Sequence, residues 1–290
     1  MKIEPLSTVM GAEVSGVDLN ASLSAAERDQ LYQAFLDHLV LCVRGQTFAD
    51  VGAFLKAASH FGDTKIQHME SFRFDDHPDA GVVSSEDRDV KDGKRIIRGT
   101  LFHTDESFIA TPPKATILYA IDVPSRGGDT RYVNMKKAYE TLTDETKAAI
   151  GKLTAVHYYG KKREGRKVPS LTEAQMKQTP PVPHPIVRTH DETGAKALYV
   201  HETMTDYITG MEPTAGEALL RRLYDHSTKN PDFQYHHKWR NGDFVIWDNR
   251  ATLHAATADY AADEKRLLYR TLLKGARTHQ SKYRVRHDKR

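Results

Sequence analysis

The sequence predicts a mainly β protein with flanking helices, an α+β chain organised as one domain over residues 1–290. Three observations predict it: many short apolar or alternating segments closed by turns, helical stretches that fall mostly early or in insertions, and no repeat or linker that would split the chain. Hydrophobic residues make up 39% and charged residues 28%, enough for a substantial core and against global disorder.

In chain order, residues 1–20 read as short strands meeting at Gly11 and Gly16. Ser24-Ala25-Ala26-Glu27 is a capping box, and Leu31, Phe35, Leu36 and Leu39 mark the apolar face of the helix it opens. Leu39–Val43 reads as a buried strand, and a second helix runs from about Asp50 to His60. From His68 to Thr100 the chain turns polar, a long surface excursion of the kind that is functional or mobile. Ala115–Ile121 is a strand, and Ser125–Thr130 turns into another. Asn134 caps a helix over Met135–Leu142, and Thr143 caps one ending at Gly151. Residues 160–183 form a second lid-like segment with a helical turn near Thr172–Lys177. Leu198–Val200 is a strand and Pro213–Ser227 an amphipathic helix. Phe233, Tyr235, His237 and Trp239 alternate as a half-buried strand should, and Asn241-Gly242 gives a hairpin signal toward Phe244–Trp247. Residues 277–290 form a basic tail.

The formal net charge of +3 is too small to argue for nucleic acid. One cysteine, Cys42, excludes an internal disulfide and reads as a buried core thiol. No apolar run approaches the roughly 18 residues that span a membrane, and Met1–Pro5 lacks the apolar core of a signal peptide. We therefore expect a cytoplasmic homo-oligomer that binds neither nucleic acid nor membrane.

The chemistry gathers around two motifs. His103-Thr104-Asp105 places an imidazole and a carboxylate two residues apart, on one face if the segment is a strand. Trp247-Asp248-Asn249-Arg250 leads to His254. Two imidazoles and one carboxylate form the facial triad of non-haem Fe(II) oxygenases. A lone His-x-Asp is weak evidence among 15 histidines. Arg266 and Arg270 strengthen it: four apart on a strand, they share a face and lie roughly 13 Å apart, suited to two different anions.

With these motifs in place the sequence resembles the taurine/2,4-dichlorophenoxyacetate dioxygenase family of Fe(II)/2-oxoglutarate-dependent oxygenases. The resemblance runs through Met10–Leu19, Phe102–Phe108, Pro124–Thr130, His184–His190 and Trp247–Arg250 to His254. It implies a double-stranded β-helix, or jelly roll, with the site between two sheets. It further implies that His103, Asp105 and His254 bind Fe(II), that Thr130 and Arg266 hold the distal carboxylate of 2-oxoglutarate, and that Arg270 binds an acidic small-molecule substrate. O₂ would be the second co-substrate, with succinate and CO₂ released. Trp247 would pack near the iron.

The chain also departs from the taurine enzymes. The spacing from His254 to Arg266 is 12 residues, one longer than in those enzymes. Arg98-Gly99-Thr100-Leu101 lacks their amine-holding asparagine. Met204 stands where an aromatic substrate contact is common, and His68 lies near a substrate-binding histidine position. These differences argue against taurine itself and leave open a larger or more apolar acid, an aryloxyalkanoate, an alkyl sulfonate or a related carboxylate. A zinc hydrolase using the same three ligands, and a carboxylate-binding sensor without catalysis, are the competing readings. His157-Tyr158-Tyr159, His236-His237, His184 and His190 are expected in packing, turn or surface roles.

Overall fold

The computed structural model describes residues 1–86, 96–160 and 172–279. Parts of the two expected insertions (87–95 and 161–171) and most of the basic tail (280–290) lie outside the described residues.

Strands β1 (Lys2–Pro5), β2 (Ala12–Ser15) and β3 (Val40–Val43) surround helix α1 (Ala25–His38) in sequence. Helix α2 (Val51–Ala58) leads to β4 (Thr64–Lys65) and β5 (Ala80–Ser84). Then come β6 (Ala115–Asp122), β7 (Thr130–Asn134), α3 (Met135–Glu140), α4 (Asp144–Ile150) and β8 (Thr154–His157). Helix α5 (Glu173–Gln178), β9 (Val182–Pro185), β10 (Val187–Thr189), β11 (Lys196–Leu198) and β12 (Thr205–Ile208) follow. Helix α6 (Pro213–Thr228) precedes β13 (Gln234–His237), β14 (Phe244–Asp248), β15 (Thr252–Ala256) and β16 (Leu267–Leu273).

The expected caps are built. Ser24 and Glu27 form the reciprocal capping box of α1, and Asp50, Asn134, Thr143 and Thr172 each accept a main-chain N–H at a helix start. Leu39 ends α1 in the left-handed region (φ 64°) although it is not glycine. Its side chain is buried, and apolar packing holds a conformation that L residues disfavour.

The large sheet runs β1-β2-β3-β14-β6-β16-β4, with β5 also paired to β16, and faces a small sheet β13-β7-β15. The period of two along the central strands sorts side chains between two layers. Phe244 and Ile246 of β14, Leu41 and Val43 of β3, and Ile117 of β6 pack outward under α1 and α2. Val245, Trp247, Cys42 and Leu118 point inward, where they meet Tyr132 and Tyr235 of the small sheet. The outer face of the small sheet, through Val133 and Leu253, packs on α3 and α6. The result is a double-stranded β-helix with a helical layer on each side.

Two local expectations change. Asn241-Gly242 does not close a hairpin: β13 pairs with β7, while β14 pairs with β3 and β6 in the opposite sheet. The uninterrupted apolar run of β14 needs cover on both faces and so takes the sheet centre, whereas β13 exposes His236 on one side. The turn is a crossing between sheets. The polar excursion after His68 likewise carries structure, since β5 adds to β16 over Ala80–Ser84.

Candidate metal and anion site

His103 and His254 are brought together by the backbone. They exchange both main-chain hydrogen bonds, His103 N to His254 O at 3.0 Å and His254 N to His103 O at 2.8 Å. A directly opposed antiparallel pair projects its side chains to one side, and the ring centroids lie 4.2 Å apart. The expectation that His103 and Asp105 share a strand face is corrected here. His103 makes an isolated bridge and the chain then turns, with the Thr104 hydroxyl donating to Asn249 O at 2.9 Å and Glu106 in the left-handed region at φ 44°. The turn, not a strand period, swings Asp105 beneath the imidazoles.

Asp105 Oδ1 stands 4.0 Å from His103 Nε2, and Oδ2 stands 3.7 Å from His254 Nε2. Candidate ligand atoms of the three residues lie within 4.8 Å of one another. His103 Nδ1 is 2.8 Å from Leu101 O, and a carbonyl only accepts, so Nδ1 carries the proton and the Nε2 lone pair faces the cluster. Burial, with the His103 ring beside it, holds His254 well below the ordinary histidine value. Burial alone would raise the Asp105 carboxyl, but Arg270, His254 and His103 outweigh it and keep it ionised. Two imidazoles and a carboxylate on one side of a point are a donor set that fits Fe(II) and leaves positions open.

The cluster opens into a cavity of about 220 Å³ that is also lined by Thr130, Met204, Trp247, Arg266 and Arg270. Arg266, 5% exposed, donates from Nε to Gly128 O at 3.1 Å and lies over the Trp239 ring. No carboxylate is within ion-pairing distance of it among the described residues. The Gly127-Gly128 turn makes that contact: Gly127 sits at φ +74°, and a Cβ there would meet Asp259 O at 2.6 Å. Trp239 Nε1 donates to Thr130 Oγ1 at 3.0 Å, which leaves the Thr130 hydroxyl proton for an acceptor in the cavity. Arg270 is committed differently, with Nη2 on Asp105 Oδ1 at 2.8 Å and Nη1 on Gln67 Oε1 at 2.6 Å.

Met204 joins Phe108, Tyr159 and Met69 in an apolar wall. His68 is not on the cavity surface. Its ring packs edge-on against Phe108 at 5.6 Å, with Nε2 buried and without a hydrogen-bond partner, so it backs the wall rather than forming it. Trp247 lies against His254, ring centroids 4.7 Å apart, as expected of a packing residue.

Of the other histidines singled out, His157, His184, His190 and His237 are buried, while His236 is exposed as expected of a surface residue. His184 donates to Ser107 O at 2.8 Å, and burial pushes it down to about 4. His201 Nε2 lies 2.8 Å from the Ser107 hydroxyl, so both rings brace the turn after Asp105. His190 bonds Asp248 at 2.9 Å, and Arg250 grips the same carboxylate through Nε and Nη2. Burial would raise Asp248, but Arg250 and His190 keep it well below the carboxylate range. His237 lies 3.3 Å from Asp243 beside Cys42, and Arg44 already engages that carboxylate. Tyr159, expected in a packing or surface role, lines the cavity, and sequence reasoning passed over Phe108 as a second wall. It also passed over Thr116, whose signal is a hydroxyl opening the otherwise apolar run Thr116–Ala120.

The model of the Taurine catabolism dioxygenase TauD, TfdA family matches residues 2–272. An alkylsulfatase of Acinetobacter baylyi is 30% identical over 285 residues, covering 95% of this chain and 85% of its own. The (S)-phenoxypropionate/alpha-ketoglutarate-dioxygenase of Sphingobium herbicidovorans is 32% identical, with 94% of each chain covered. Among solved structures, AAD-2 in complex with Mn(II) and N-oxalylglycine is similar with a TM-score of 0.79 at 30% identity, covering 96% of this chain and 98% of its own.

Proposed function

The chain belongs to the taurine catabolism dioxygenase TauD, TfdA family, and from that premise we propose that His103, Asp105 and His254 hold its iron. It is a 2-oxoglutarate-dependent dioxygenase that uses Fe(II), 2-oxoglutarate and O₂. Iron and O₂, when bound, supply an oxidant strong enough to hydroxylate a C–H bond. One oxygen atom goes to the substrate and the other to succinate, with CO₂ leaving.

One observation carries the assignment of the co-substrate. Arg266 is a buried guanidinium without an acid partner among the described residues, in the same cavity as the three metal donors. A permanently charged fork left unpaired in a buried wall asks for a carboxylate ligand. Arg266 and Thr130 take the distal carboxylate of 2-oxoglutarate. The zinc hydrolase reading would leave this clamp without a role and is set aside by family membership.

The substrate is a small organic acid, carboxylate or sulfonate, held by Arg270 and hydroxylated at the carbon next to its acid or heteroatom group. The apolar wall of Met69, Phe108, Tyr159 and Met204, backed by His68, suits an aryloxyalkanoate or an alkyl chain better than a short amine. The names of the relatives, an alkylsulfatase and a phenoxypropionate dioxygenase, point the same way. Orientation by Arg270 is the chain's main contribution to selectivity, because a fixed acid end presents one carbon to the metal. Hydroxylation beside a heteroatom gives a product that collapses to a carbonyl compound.

Anaerobic titration of the metal-free protein with Fe(II) and then 2-oxoglutarate is expected to give a weak visible charge-transfer band that shifts when a fitting acid is added. A folded, iron-loaded protein with no such band would refute chelation. Arg270→Ala is expected to weaken acid substrate binding by roughly 10- to 100-fold, the value of a charge-assisted contact. The 2-oxoglutarate requirement should change little. Equal loss for both ligands would contradict the separate roles of the two arginines.

Cys42 is a buried free thiol, in keeping with a cytoplasmic setting, and no described helix is long and apolar enough to cross a membrane. Self-association completes the proposal and is read directly by sedimentation of the purified chain.

A further inference from the structure

Asp105 is held from behind by a two-link hydrogen-bond chain. Its Oδ2 accepts from the Thr116 hydroxyl at 2.5 Å, and Thr116 Oγ1 accepts from Asn249 Nδ2 at 2.8 Å. The directions are forced. An ionised carboxylate only accepts, so the Thr116 proton goes to Asp105 and the Thr116 lone pair takes the amide N–H. Thr116 is 0% and Asn249 1% exposed, so bulk water does not compete for these bonds.

Asn249 is itself anchored through its main chain. Its N–H donates to Lys114 O at 3.0 Å, and its carbonyl accepts from the Thr104 hydroxyl at 2.9 Å. Thr104 lies between His103 and Asp105. One residue in the turn between β14 and β15 therefore reaches the metal-donor segment twice, directly at Thr104 and through Thr116 at Asp105. The strand that leaves the same turn carries His254.

On the assignment of Asp105 as a metal ligand, we propose that Asn249 and Thr116 are positioning residues that fix the orientation of its carboxylate. Thr116 holds Oδ2, which lies 3.7 Å from His254 Nε2, and Arg270 holds Oδ1, which lies 4.0 Å from His103 Nε2, so the carboxylate is fixed at both oxygens. Bonds in such a chain polarise and strengthen one another in a buried setting. A carboxylate released from Thr116 keeps only its Arg270 contact and can turn about it, which would change the oxygen geometry presented to a metal.

The test is Co(II) titration of the metal-free protein, followed by its visible bands, for the parent chain, Thr116→Val, Thr116→Ser and Asn249→Ala. Thr116→Val, nearly isosteric but without the hydroxyl, is expected to bind Co(II) roughly 10- to 100-fold more weakly, the usual loss when a ligand's outer partner is removed. Its band shape should change as well. Thr116→Ser should restore both affinity and band shape. Asn249→Ala should fall between, since Thr116 keeps its own bond to Asp105. Parent-like affinity and bands in Thr116→Val would overturn the proposal, as would equal impairment of the valine and serine variants. If the parent chain itself fails to take up one equivalent of Co(II), the metal assignment falls, and this inference with it.

Discussion

Replacing His103, Asp105 or His254 with alanine is expected to abolish iron binding and turnover while leaving the chain folded. Each of the three supplies one donor to a cluster whose ligand atoms lie within 4.8 Å of one another, and two donors do not make a facial site. The fold should tolerate the loss because the backbone bridge between His103 and His254 does not depend on either ring. Asp105→Ala is the most demanding case. It leaves Arg270 without its ion-pair partner, although Gln67 still accepts from Nη1 at 2.6 Å. Metal analysis after Fe(II) loading, with circular dichroism on the same samples, checks the result. Full activity in any one variant would refute the triad.

Arg266→Ala is expected to raise the 2-oxoglutarate requirement by far more than it changes the acid substrate requirement. Truncating one partner of a buried charge pair costs about 2–5 kcal/mol, or roughly thirtyfold to several thousandfold in affinity. The buried position of Arg266 places it in that class rather than among exposed pairs. Arg266→Lys should recover only part of the loss, because an ammonium keeps the charge but not the planar fork. Steady-state KM values for both ligands decide it. A rise confined to the acid substrate would exchange the roles given to Arg266 and Arg270.

Much of this site was legible without coordinates, and the misses share a cause. Capping residues such as Ser24, Asp50, Asn134 and Thr172 act within one turn of helix, so their patterns can be read locally. Arg266 and Arg270 could be placed on one side because strand geometry spaces them. The reading of His103-x-Asp105 as a strand pair put together residues that do lie together, but for the wrong local reason. The turn at Thr104 depends on Asn249, which is 145 residues away in sequence. A turn signal such as Asn241-Gly242 says nothing about which sheet the next strand joins, and here β13 and β14 join opposite sheets.

Sequence alone determined the donor inventory, the spacing of the two arginines, the caps, and the period of two that sorts Val245 and Trp247 from Phe244 and Ile246. These are properties of neighbouring residues and follow from local geometry and side-chain chemistry. Only the tertiary structure decided that His103 stands opposite His254, that Arg266 is left without an acid while Arg270 holds Asp105, and that His68 stands behind Phe108. Those outcomes depend on how distant strands register and on which polar groups become buried together, and no window along the chain contains both partners.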